Sequence, residues 1–96
     1  MLLYNSAMSG NCYKVRLILA HLGIPHERRE LSVLDRSNRP GILGGLNPAL
    51  RVPTIVLDDE RALGESNAIL WYFGEGTRYV PSTTYERAQV LQWQFF

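Results

Sequence analysis

Residues 2–31 constrain the fold more tightly than any other stretch of the chain. Leu2, Leu3 and Tyr4 form a short apolar run of strand type, and the segment 5–10 that follows is rich in turn residues. From Asn11 onward Val15, Ile18, Leu19 and Leu22 recur at helical spacing, until Gly23 and Pro25 stop the helix. Residues 26–31 are charged yet extended in character, with Glu27 and Arg29 alternating against Arg28 and Glu30, which predicts a strand at or near a sheet edge. Strand, helix and strand within about thirty residues make a βαβ unit, whose crossover requires parallel, right-handed pairing.

The remainder builds on that unit. Residues 35–50 combine Asp, Arg, Ser, Asn, Pro and three glycines, predicting a loop with one weak helical turn near Ile42 and Leu43. Pro53 then stands directly before the β-branched run Thr54-Ile55-Val56, a place where its missing N–H falls outside a sheet ladder. Asp58-Asp59-Glu60 is a polar turn and Arg61-Ala62-Leu63 a second short strand, so residues 54–63 are expected to form a hairpin. Gly64-Glu65-Ser66-Asn67 starts another helix, with Ala68, Ile69, Tyr72 and Phe73 as its expected apolar face and Gly74 and Gly76 at its end. Beyond Pro81, Thr83 with Glu86 has the form of a capping box, and the last helix ends on Trp93, Phe95 and Phe96.

Composition narrows the possible functions. With 96 residues, 46% hydrophobic and 20% charged, the chain is one small globular domain. A net charge of +1, with the arginines spread among acidic residues, gives no basis for a nucleic-acid or membrane-surface partner. The absence of a signal-like or spanning apolar run predicts a cytoplasmic protein. One cysteine, Cys12, cannot form an intramolecular disulfide, a C-x-x-C dithiol or a cysteine-based zinc site, so no metal is expected and thiol chemistry needs a thiol from outside. That cysteine lies in Met8-Ser9-Gly10-Asn11-Cys12-Tyr13-Lys14, where the first strand gives way to a helix. Such a junction aims backbone N–H groups and the positive end of the helix dipole at its occupant, which suits an anion, including a thiolate. The same residues also suit a plain helix cap.

In order and at their separations, Tyr4 to Lys14, Leu46-Asn47-Pro48, Arg51-Val52-Pro53 and Gly64-Glu65-Ser66-Asn67-Ala68-Ile69 resemble the N-terminal domain of cytosolic, bacterial-type glutathione S-transferases. The resemblance implies an α/β, thioredoxin-like βαβ-α-ββα sandwich with a mixed four-stranded sheet and a cis-proline before the third strand. It covers residues 1–79, while residues 80–96 resemble the linker and the first helix of the family's all-helical second domain, with the sequence ending inside that helix. The implied activity is conjugation of glutathione, as co-substrate, to a small electrophile held mainly by the second domain, in a protein that is a homodimer at full length.

The resemblance also assigns residues. Ser66 offers its hydroxyl and a helix N-terminus to the γ-glutamyl carboxylate, and Glu65 meets the amine. Val52, before the proline Pro53, pairs with the cysteinyl backbone as a strand would. The glycine carboxylate needs a cation, for which Arg39, twelve positions before Arg51, and Arg51 itself are the candidates. For the thiol, Ser9 followed by Lys14 reproduces the spacing of serine-type members, Cys12 matches the cysteine-type position, and Asn11 matches a position that carries an active-site Asn in another bacterial group. Lowering a thiol pKa by about 2 units requires roughly 2.7 kcal/mol. One hydrogen bond to a charged group supplies about 1.5–3 kcal/mol and a helix N-terminus about 0.3–1 kcal/mol, so a single hydroxyl at a helix start suffices. Ser9 is favoured. Were Cys12 the working group, the chemistry would turn to thiol–disulfide exchange through a mixed disulfide with glutathione; a non-catalytic interaction module of the same fold is the third reading.

Overall fold

A computed structural model describes residues 1–96. The strands β1 (Leu2–Asn5), β2 (Glu27–Glu30), β3 (Thr54–Val56) and β4 (Ala62–Leu63) form one sheet in the order β2-β1-β3-β4. β1 pairs parallel with β2, whereas β3 is antiparallel to both β1 and β4, giving the mixed thioredoxin-like sheet. The helices are α1 (Gly10–His21), the short α2 (Arg39–Leu43), α3 (Ser66–Gly74) and α4 (Thr84–Phe95).

The period of two along β1 divides the core. Leu3 points to one face, where it meets Val15 and Leu19 of α1, Ile55, Leu57 and Ile69 of α3. Tyr4 points to the other and packs with Leu31 and with Leu43 of α2. Each fully buried aliphatic side chain contributes about 1.5–3 kcal/mol, so this alternation fixes the register of the central strand. The charged strand β2 lies at the sheet edge with all four residues exposed, as its alternating sequence predicts.

One expectation needs correction. On α3 the packing residues are Ile69 and Phe73, while Ala68 and Tyr72 are exposed, Tyr72 at 46%. Successive helical residues turn by about 100°, so the pair at i and i+4 that faces the sheet leaves its predecessors on the outer stripe. At the other end of the chain, Thr83 caps α4 by accepting from the Glu86 N–H at 3.3 Å and donating to Glu86 Oε1 at 2.8 Å. No residue of α4 is buried. No helix is long and apolar enough to cross a membrane.

Candidate functional site

The starts of α1 and α3 and the loop before β3 meet at a narrow cleft of about 50 Å³. Asn11 lines it from α1, Arg51, Val52 and Pro53 from the loop, and Glu65 and Ser66 from α3. A larger cavity of about 390 Å³ lies between α1, α3 and α4, but its walls are Leu17, Ile18, Leu70, Trp71 and Val80, with few polar groups. Converging helix starts and polar side chains make the smaller cleft the better anion site.

The loop is braced from within. Asn47 is buried, and its Nδ2 donates to Thr54 Oγ1 at 3.0 Å and to the Arg51 carbonyl at 3.3 Å. Thr54 Oγ1 in turn donates to the Arg51 carbonyl at 2.7 Å. Gly64 is required beside this brace, since a Cβ there would lie 2.6 Å from Asn47 Nδ2. The Val52–Pro53 peptide bond is cis. Val52 takes part in no hydrogen bond within the chain, so its N–H and C=O are open to an extended ligand backbone.

The two helix starts differ. Ser9 caps α1, its Oγ accepting from the Cys12 N–H at 3.1 Å while its hydroxyl proton stays free to donate. Glu65, the residue before α3, makes no capping bond and holds a left-handed φ of 62°. Ser66 is 7% exposed, and its hydroxyl, on the cleft wall, has no partner within the chain. Asn11 is exposed on the cleft wall.

Two of the remaining sequence candidates, Cys12 and Arg39, sit away from the cleft. Cys12 is fully buried, and its Sγ accepts from the Ser6 N–H at 3.4 Å. Arg39 is neither a surface charge nor a cleft residue. It is 2% exposed, with Nη1 donating to the Leu50 carbonyl at 3.1 Å and Nη2 to the Ser32 carbonyl at 2.8 Å. Burial, ahead of the charge of Arg36, lowers its pKa. Its Nε has no partner. Arg51 is exposed at the cleft and is the cation available there. Sequence reasoning assigned no role to Asn47, whose position in an Asn-Pro pair reads as an ordinary turn residue.

No curated protein matches the chain in sequence. Solved structures do. A possible glutathione S-transferase from Rhodopseudomonas palustris is 44% identical over 99% of this chain and 49% of its own, with a TM-score of 0.89. A glutathione S-transferase from Pseudomonas fluorescens Pf-5 is 40% identical over 99% of this chain and 47% of its own, with a TM-score of 0.93. One from Methylobacillus flagellatus KT, with glutathione bound, shares the fold at 24% identity and a TM-score of 0.80, over 97% of this chain and 46% of its own. The chain thus spans about half the length of each of these proteins. The family model for the glutathione S-transferase N-terminal domain matches residues 8–75, from the strand–helix junction to the end of α3. The chain therefore belongs to the family of glutathione S-transferase N-terminal domains.

Proposed function

We propose that this chain binds glutathione along the cleft between α1 and α3 and stabilises its thiolate for attack on an electrophile. The observation that carries the reading is the convergence of Arg51, Val52, Glu65 and Ser66 on one cleft, at the uncapped start of α3. The γ-glutamyl carboxylate would take the Ser66 hydroxyl and the first N–H groups of α3, and the amine the Glu65 carboxylate. The cysteinyl unit would pair with the open Val52 backbone ahead of Pro53. Arg51 would hold the glycine carboxylate, while Arg39 supports the loop through the Leu50 carbonyl. The sulfur then faces the start of α1, where the Ser9 hydroxyl donates to the thiolate and Asn11 assists. Ser9 acts by stabilising and orienting, since its hydroxyl is no proton acceptor near neutral pH.

Full burial of Cys12 favours Ser9 over a mixed-disulfide route, because a thiolate must reach a sulfur to exchange with it. Residues 1–79 make the glutathione-binding unit, and residues 80–96 a linker and the first helix of a helical domain that would supply the electrophile pocket and part of a homodimer interface. The bound relative from Methylobacillus flagellatus supports glutathione as the ligand. Titration calorimetry of the 96-residue chain with glutathione tests the reading. Saturable uptake that Ser66→Ala weakens about tenfold or more is expected, and no uptake at millimolar glutathione would reduce the chain to an interaction module. The 96-residue chain alone should conjugate poorly, and in a protein that carries the helical domain, activity on a chloro-nitrobenzene with none on a small mixed disulfide separates conjugation from thiol exchange.

A further inference from the structure

The turn between β1 and α1, which carries Ser9, is held by three side chains outside the cleft. Asn5 ends β1 and is 2% exposed. Both ends of its amide are used: Nδ2 donates to Glu30 Oε1 at 2.5 Å, and Oδ1 accepts from Arg16 Nη1 at 2.6 Å. Each charged partner also grips the backbone of the turn. Glu30 Oε2 accepts from the Ala7 N–H at 3.0 Å, and Arg16 Nη1 donates to the Ser6 carbonyl at 3.2 Å. That carbonyl also accepts the Ser9 N–H at 3.1 Å.

We infer that Asn5, Arg16 and Glu30 form one clamp on the turn of residues 6–9, and that Glu30 and Arg16 are positioning residues for the Ser9 hydroxyl. The inference rests on the role proposed above for Ser9. A neutral acceptor would satisfy the Asn5 Nδ2 equally well. Only a carboxylate has two acceptor oxygens with no donor between them, and here one serves the end of β1 while the other serves the turn. Opposite charges at the two ends of a buried amide make every bond in the chain charge-assisted, hence shorter and more directional than neutral ones. The turn is thereby referred to the sheet through β2, whose Glu30 pairs with Asn5, and to α1 through Arg16. Placement of a thiolate-stabilising donor matters at this scale, since a misplacement of about 1 Å can cost roughly a hundredfold in rate.

The test reads the thiol of bound glutathione directly. Glutathione labelled with carbon-13 at its cysteinyl Cβ is titrated by NMR on the 96-residue chain and on Ser9→Ala, Glu30→Gln and Arg16→Lys. Glu30→Gln keeps the side chain's size but leaves one acceptor for two donors. The bound thiol pKa is expected to rise by about half a unit to one unit, a three- to tenfold loss of thiolate at neutral pH. Affinity for S-methylglutathione, which has no thiol to stabilise, should stay within about twofold. Arg16→Lys, whose shorter side chain and compact ammonium hold the two acceptors less closely than the planar guanidinium does, should show a smaller rise, and it carries the test alone should Glu30→Gln not fold. A thiol pKa raised by Ser9→Ala but unmoved by both clamp variants overturns the clamp and leaves the Ser9 reading standing. A pKa unmoved by Ser9→Ala overturns that reading itself, and the positioning role with it.

Discussion

The starts of α1 and α3 reach the same cleft and are finished in opposite ways. At α1 the chain satisfies its own helix: Ser9 accepts from the Cys12 N–H, and the turn before it is tied to β2 and to α1. At α3 the chain withholds a cap, places Glu65 at a φ of 62° and leaves the Ser66 hydroxyl without a partner at the wall of the cleft. Capping by Ser, Thr, Asp or Asn is worth about 0.5–2 kcal/mol, so an uncapped start is a sacrifice of stability. A bound carboxylate would complete it. One end thus belongs to the fold and retains a single free hydroxyl proton, and the other is left open, to be finished by the proposed ligand.

If that contrast holds, removing each hydroxyl separates stability from binding. Ser66→Ala should weaken glutathione binding about tenfold to a hundredfold, the worth of one hydrogen bond to a charged group, and leave the denaturation midpoint nearly unchanged. Calorimetry alongside urea unfolding reads both. An equal loss of stability would show that Ser66 is a structural cap after all. Ser9→Ala should do the reverse in proportion: it removes the cap of α1, costing about 1 kcal/mol in stability, and raises the bound thiol pKa while leaving S-methylglutathione affinity intact. Cys12→Ala, by contrast, should leave that pKa where it is. A raised pKa in the Cys12 variant would transfer the thiol-activating role from the hydroxyl to the sulfur.

The contrast between the helix starts is only half legible in the sequence. The apolar run Leu2-Leu3-Tyr4, the helical spacing of Val15 and Leu19, and the proline before Thr54 are local patterns, and each states its element without help from the rest of the chain. Ser9 and Ser66 read identically as helix-start residues, because the difference between them is the presence of a partner in space. The clamp is hidden for the same reason, since Asn5 meets Arg16 and Glu30 across 11 and 25 positions of sequence. Arg39 shows the limit most plainly: its place twelve positions before Arg51 reads as that of a cation for the glycine carboxylate, yet the carbonyls of Ser32 and Leu50 hold its guanidinium inward. Charge alone does not say which side of a loop faces the core.

Backbone strain at Glu65 sharpens the comparison further. A non-glycine residue at a φ of 62° and ψ of 113° is in a sparsely populated region and costs about 1–3 kcal/mol. Glu65→Gly should therefore raise stability by about 1 kcal/mol, after the extra chain entropy of glycine is deducted, and weaken glutathione binding about fivefold through loss of the carboxylate. Opposite changes in unfolding midpoint and affinity are the expected signature. Parallel changes would mean that the strained backbone is there for the fold rather than for the ligand.

The smallest effect belongs to α4, whose start is capped by Thr83 and lies away from the cleft, and which serves as the control. Thr83→Ala should fray that helix by about 1 kcal/mol at most and leave glutathione affinity unmoved. Two ties join α4 to α3: Asn67 Nδ2 donates to the Gln94 carbonyl at 2.8 Å near the end of α4, and toward its start Arg87 Nη1 and Nη2 donate to Oε1 and Oε2 of Glu75, the residue that follows α3, at 3.1 and 3.0 Å. The hydrogen bonds from Arg87, ahead of its charge, hold Glu75 below its ordinary value of 4.5. Because the folded pKa is the lower one, the unfolded chain binds the proton more readily. The contribution of the pair is complete above the ordinary value and is lost as pH falls through the depressed one. Both side chains reach solvent, at 33% and 51% exposure, so the loss is small and screened by salt. Trp71 lies under the Arg87 guanidinium at 4.9 Å and reports on it. Its fluorescence should change in the acid limb below that ordinary carboxyl range in the parent chain and not in Glu75→Gln, with Trp93→Phe as the common background. A glutathione affinity that followed the same acid limb would tie α4 to the cleft and end its use as the control.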